Sequence, residues 1–279
     1  SLMGLLGIVL FFCCFFMTRE RYSPRNDTSG SMLTDLKLLA ANSQWRIVFL
    51  FNILLLTAVV TRGSATMYYV NYVLLRPELV FAFIVSGMVA SLSGSLLSER
   101  LLGKFDRVRA YQWTIISFVI FGALIFFIPP SQVWLIFGLN IVFSFIQNLT
   151  TPLQWTMFSD VVDYEEHRSG RRLDGLVFST ALFAIKFGLA LGGAVVGWVL
   201  GMGDYAPGQA NQAPHVLATI KALFTLIPCA LFLCMVALLA IYKLNSRLVD
   251  SIARELASKR DSRNDAGQLS PATQSALQE

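Results

Sequence analysis

Between Asp160 and Trp198 the chain passes from a dense run of charge into a long apolar segment, DVVDYEEHRSGRRLDGLVFSTALFAIKFGLALGGAVVGW. The apolar part is long enough to cross a bilayer, whose hydrocarbon core takes about 20 residues of helix. It holds one charge, Lys186, about 12 residues from either end. A lysine at that depth costs roughly 2.5–3.5 kcal/mol on insertion scales. Snorkelling to the headgroups relieves the cost near helix ends, so Lys186 is expected to have a working partner. Gly188, Ala190, Gly192, Gly193, Ala194 and Gly197 follow it. The Gly192/Gly193/Gly197/Gly201 spacing lets helix backbones approach closely, and ordinary tight packing accounts for it. The charged part, Asp160 to Asp174, reads as a short loop.

Composition places the whole chain in the same environment. Of 279 residues, 55% are hydrophobic and 14% charged, where a soluble domain is nearer one quarter charged. The chain therefore reads as an all-α polytopic membrane protein. Cys13, Cys14, Cys229 and Cys234 sit inside apolar runs, without the spacing of a zinc site or a disulfide framework. His167 and His215 both fall outside the spans. No metal site, cofactor, phosphate loop or nucleophile–base pair is expected, Ser159 beside Asp160 being too weak a pair, so the chain does not read as an enzyme.

Leu2–Met17 is apolar from the outset, without a basic n-region or a cleavage site, and does not read as a signal peptide. The expectation is that the chain begins inside a helix of a longer protein. Residues 18–44 read as a linker between two bundles, with a short amphipathic helix at Asp35–Ala41. Spans are expected at Trp45–Leu75, Leu79–Leu97, Ala110–Ile128, Val133–Phe158, the Lys186 segment, and Val216–Tyr242. Together they make a bundle over 45–243. Arg62 lies near the middle of the first of these, and Tyr69, seven residues on, shares its face. Tyr68 and Tyr72 suit an interfacial aromatic belt. Gln147, Asn148, Thr150, Thr151 and Gln154 form a polar stretch in which Pro152 should bend the helix. The tail over 244–279 is polar and reads as disordered past Asp261.

Basic residues fall on alternate loops. Arg19, Arg21, Arg25, Lys37 and Arg46 precede the first span of the bundle; Arg100, Lys104, Arg107 and Arg109 form a second group, and Arg168, Arg171 and Arg172 a third. The tail adds Lys243, Arg247, Arg254, Lys259, Arg260 and Arg263, whereas the loops on the opposite side hold Arg76 alone, with Lys221 at a helix start. By the positive-inside rule the linker, these loops and the C-terminus are cytoplasmic. The net charge of +5 is thus a topology signal, with no nucleic-acid partner implied.

No Asp or Glu falls at mid-membrane depth in the sequence, so Arg62 and Lys186 are expected to draw counter-charge from a part of the protein outside this chain, from a substrate, or from both. Asp160 and Asp163 read as lying at a helix C-terminus, where the macrodipole disfavours acids and Arg168, Arg171 and Arg172 are within reach. A solvated charged loop is the plain alternative.

DVVDY, the basic Gly170-Arg171-Arg172 turn, DGLVFSTALFAIKFGLALGG and the Gly203-Asp204-Tyr205 turn together resemble the glycoside–pentoside–hexuronide:cation symporters, which include the melibiose and glucuronide permeases. Arg62-Gly63 with Tyr68-Tyr69 adds to the likeness, which covers Leu2 to about Ala257. It implies the major facilitator fold, with 1–17 as the last helix of the N-terminal bundle and the following six spans as the C-terminal bundle. It also implies cation-coupled symport of a sugar, glycoside or sugar acid across the inner membrane by alternating access. The coupling ion would be Na+ or H+, its site mostly in the N-terminal bundle outside this chain; membrane lipid and that bundle are the implied partners. By the same resemblance Lys186 lies near the sugar and the cation-site carboxylates, Gln154 lines the cavity, and Asp160, Asp163 and Arg172 pair as a cytoplasmic gate. Arg62, Tyr69 and Thr151 are further candidates for substrate contact. Ala181 and Leu182 replace Gln and Thr of the melibiose permease, and Thr151 an aromatic residue, so the sugar pocket differs from that of the melibiose permease. A same-fold carrier of lipid-like or drug-like substrates is one alternative, and a seven-helix receptor or retinal protein another.

Overall fold

The computed structural model describes residues 2–18, 32–103, 105–209 and 211–259. The linker stretch 19–31, Lys104, Ala210 and the tail from residue 260, including the disorder expected past Asp261, lie outside the described residues. In chain order the helices are α1 (Leu2–Met17), α2 (Met32–Ala41), α3 (Ser43–Tyr68, continued by a π-turn at Tyr69–Val73), α4 (Val80–Leu102), α5 (Arg107–Phe127), α6 (Val133–Leu149), α7 (Thr151–Ser169), α8 (Asp174–Met202), α9 (Pro214–Phe224) and α10 (Leu226–Ala240). A further helix, α11, spans 246–259. Among the described residues there is no strand.

Among the described residues, six stretches are long and apolar enough to cross a membrane: Ser43–Val73, Pro77–Leu102, Arg107–Phe127, Val133–Ser169, Asp174–Met202 and Pro214–Ala240. They match the six spans expected after the first helix. α1 is a shorter apolar helix exposed along most of its length, with Phe11 82% exposed.

Local chemistry sets the boundaries. The Asn42 side chain accepts from the backbone N–H of Gln44 and Trp45 and so caps α3, and Asp106 caps α5 through Arg109 N–H. Pro152 and Pro214 stand in the first turns of α7 and α9, where a missing N–H breaks no helical bond. The Pro152 region is therefore a break, with α6 ending at Leu149 and α7 starting at Thr151.

One expectation is corrected here. The charged run from Asp160 is helical as far as Ser169, and the chain leaves the helix at Gly170, whose φ of +71° ends it. Asp160 thus lies more than two turns inside α7, beyond the reach of an argument from the helix end. The run stays helical because Val161, Val162 and Glu165 bury one face of it. The tail also holds α11, because Val249, Ile252 and Leu256 recur at helical spacing and are buried.

α8 lies along α3, α4 along α6, and α10 packs against both α3 and α5. Gly94 sets the closeness of α4 to α6, since a Cβ there would run into the Phe145 carbonyl. Of the α8 glycines, Gly188 and Gly192 face Ile53 and Val60 of α3, whereas Gly193, Gly197 and Gly201 open onto empty space. Packing therefore accounts for part of that stripe. One core cluster joins Val48, Phe51, Tyr111, Phe118, Phe232 and Met235; a second joins Tyr69, Phe83, Ile136, Ile220 and Phe224.

Candidate functional site

A half-open cavity of about 800 Å³ lies between α3, α4 and α6. The helical repeat builds its wall. Phe83, Gly87, Ser91 and Ser95 follow one another at four-residue spacing on α4, and Asn140, Ser144 and Asn148 do the same on α6, with Gln147 beside them. α3 supplies Arg62, Gly63 and Thr66. The polar stripe of α6 is legible as a pattern, yet the sequence reading singled out only its end, at Gln147 and Asn148.

Arg62 is the charged residue on this described wall. It is 6% exposed. Its guanidinium donates to the Phe224 carbonyl (2.9 Å) and to Asn140 Oδ1 (3.2 Å). It also lies 3.9 Å from the centre of the Phe143 ring and 4.1 Å from that of Phe224, a cation–π arrangement that offsets part of the cost of burial. Arg62 therefore does not wait wholly on an external partner: neutral acceptors and two rings hold it, with no carboxylate paired to it among the described residues.

Tyr69 shares Arg62's face through a common neighbour, stacking on Phe224 at 4.3 Å. It is fully buried and lies off the cavity wall. Tyr72 and Tyr68 gather on Tyr205, the first through a 3.0 Å hydroxyl contact and the second edge to face. Gln154 is buried and donates to Asn52 Oδ1, tying α7 to α3. Thr151 donates to Asn148 Oδ1 (3.4 Å) and so touches the cavity through that neighbour.

Lys186 occupies the middle of α8, as expected, and is exposed. The stripe that packs on α3 runs through Ala184, Gly188 and Gly192. Lys186 is two residues from Ala184 and from Gly188, about 200° round the helix, and so projects away from α3. No ion pair holds it among the described residues. It is not on the cavity wall, and the chain does not bring it together with Arg62. A retinal protein needs a lysine enclosed by its helices, and Lys186 is not enclosed.

The basic end of the bundle is wired more extensively than expected. Arg172 pairs with Asp163 (3.2 Å), Glu166 (2.7 Å) and Asp174 (2.7 Å). Partial burial alone would lower the Arg172 pKa; the hydrogen bonds to Glu166 and Asp174 outweigh it and raise the value above the ordinary arginine range. Asp160 does not join this cluster. It pairs with Arg107 at 3.2 Å, because its position inside α7 turns it toward α5. Glu165, which the sequence reading passed over, is fully buried. It accepts from Asn42 Nδ2 (2.6 Å) and lies 3.7 Å from Arg168. Arg168 in turn donates to the Leu38 and Ala41 carbonyls that end α2, and Arg171 pairs with Asp35 at 2.5 Å. The stripe Val161, Val162, Glu165 was the available clue.

Residues 1–246 match the family model described as MFS/sugar transport protein. The chain is 50% identical over 264 residues to the Escherichia coli K12 protein named "Putative glycoside/cation symporter YagG", covering 95% of this chain and 57% of that one. It is 36% identical to "Inner membrane symporter YicJ" of the same organism, covering 92% and 56%. A more distant relative there, "Glucuronide carrier protein homolog", is 27% identical over 92% and 56%. The chain spans a little over half the length of these curated relatives.

Proposed function

We propose, from the premise that this chain belongs to the MFS/sugar transport protein family, that it forms the C-terminal part of a symporter. The symporter carries a sugar, glycoside or sugar acid across the inner membrane, driven by Na+ or H+. The observation that supports this best is the cavity between α3, α4 and α6. Its polar side chains stand at membrane depth on three helices, where unpaired polar groups are costly unless a cavity or ligand uses them. Asn140, Ser144, Gln147 and Asn148 offer donors and acceptors to hydroxyls, Phe83 offers an apolar face, and Arg62 offers N–H groups to a hydroxyl or a carboxylate.

In this reading the bundle rocks against a second bundle about a midplane site. Lys186, on the outer side of α8, meets the cation-site carboxylates of that bundle, so that ion occupancy changes its pairing and the affinity for substrate. The Asp163–Arg172 cluster belongs to the cytoplasmic gate, and Asp160 contributes through Arg107. Gln154 and Thr151 act behind the wall, through Asn52 and Asn148, and Tyr69 acts by bracing the Phe224 ring beside Arg62.

The test is radiolabelled uptake by cells expressing the full-length transporter, with a panel of glycosides, pentosides and hexuronates and with sodium and pH gradients varied independently. Gradient-dependent accumulation of a panel member is the expected result. No accumulation under any gradient would overturn the sugar reading and favour a lipid-like or drug-like substrate.

A further inference from the structure

We propose that the basic end of this bundle carries a binding site for an anionic phospholipid, in the groove where α2 crosses the end of α7. The groove measures about 660 Å³ and is lined by Thr34, Lys37, Leu38, Arg168, Ser169 and Arg171. Three cations and two hydroxyls therefore face one space. That set matches a phosphate ester, which accepts hydrogen bonds and carries negative charge.

The neighbouring acids offset two of these three charges and leave one. Asp35 is engaged by Arg171, and Glu165 by Asn42 and Arg168. Lys37 is exposed, and no ion pair holds it among the described residues. Arg168 and Arg171 each carry five N–H donors, more than their protein partners occupy, and those partners fix the two guanidinium groups in place. One unmatched lysine beside two anchored arginines gives the groove a net positive charge.

Position selects a lipid as the source of the phosphate. α2 ends one residue before α3 enters the membrane, and α7 and α8 meet at 170–173 on the same side. The groove therefore lies at the level where headgroups stand. α2 also exposes Met32, Leu33 and Leu36 beside Lys37, an apolar edge next to a cation, as in helices that lie in the membrane interface. A free phosphate has no use for that edge, whereas acyl chains do. Basic pockets between helix ends on the cytoplasmic side are the places where anionic headgroups lodge.

The experiment uses the purified full-length transporter in nanodiscs of phosphatidylcholine alone or with one fifth phosphatidylglycerol, and spin-labelled lipid to read association. The expected result is selective retention of phosphatidylglycerol over phosphatidylcholine. Lys37→Gln should weaken that selectivity about fivefold, Lys37→Glu should weaken it further, and Arg76→Gln at the opposite end should leave it unchanged. Equal retention of the two lipids overturns the proposal. So does unchanged selectivity in both Lys37 variants. Competition by glycerol 1-phosphate at concentrations as low as those of the lipid would show a soluble-anion site and would overturn the lipid assignment.

Discussion

Arg62 and Lys186 are both cations in the middle of apolar helices, and the fold treats them differently. Arg62 is turned inward, where the Phe224 carbonyl, Asn140 and two rings take up its donors and its charge. Lys186 is turned outward, about 200° from the stripe that packs on α3. An outward lysine at mid-span has no reason to persist as packing, since alanine or leucine would fill the same face at less cost. In the proposed symporter it therefore works on coupling. Lys186→Ala in the full-length transporter is expected to abolish gradient-driven accumulation while leaving the protein in the membrane. Normal accumulation in that variant would remove Lys186 from the mechanism.

Among the elements, α4 and α11 make claims that a stability measurement can check. α4 approaches α6 closely because Gly94 has no side chain to meet the Phe145 carbonyl. Gly94→Val should cost about 1–3 kcal/mol by overpacking, read as a lower melting temperature in detergent. α11 is held at its start by Asp106, which accepts from Ser246 N–H (3.2 Å) as well as capping α5. Burial alone would raise the Asp106 carboxyl, but backbone donors from Arg109 and Ser246 outweigh it and hold it below the ordinary aspartate range. A carboxyl lowered in the folded state stabilises above its unfolded value, about 3.9, and loses that contribution as pH falls through the folded value. Asp106→Ala should cost about 0.5–2 kcal/mol and speed hydrogen exchange over 246–259 at neutral pH. The unaltered protein should show the same loosening only in strong acid. Equal exchange in the variant and the parent at neutral pH would show that α11 is held by its apolar stripe alone.

At the scale of the whole molecule, this is a multi-pass membrane protein of the all-α class, and its orientation is a matter of charge. Arg100, Arg107, Arg109, Arg168, Arg171 and Arg172 lie at one end of the spans and Arg76 at the other. We propose on the positive-inside rule that the C-terminus is cytoplasmic. A C-terminal fluorescent-protein fusion to the full-length transporter should fluoresce and an alkaline phosphatase fusion should be inactive. The reverse pattern would invert the membrane topology and with it the placing of the Asp163–Arg172 cluster at an inner gate.

The sequence by itself determined the class, the six spans, the mid-helix position of both cations and the family likeness. Each of these follows from composition along the chain. A bilayer core of fixed thickness selects long apolar runs, and the apolar core forces such runs to satisfy their own backbone as helices. The tertiary structure alone decided which side chains meet. Arg62 finds the Phe224 carbonyl across 162 residues, and Asn42 finds Glu165 across 123. Such pairings depend on how each helix is rotated and how closely it approaches its neighbour, which local pattern does not contain. Asp160 shows the difference most plainly. Its charge and its place near the basic Arg171-Arg172 turn were legible, but the continuation of α7 to Ser169 turned it away from Arg172 and toward Arg107. The cavity wall divides along the same line: the spacing of its polar residues on α4 and α6 is written in the chain, and the packing of α4 on α6 beside α3 is what brings those residues to a single cavity.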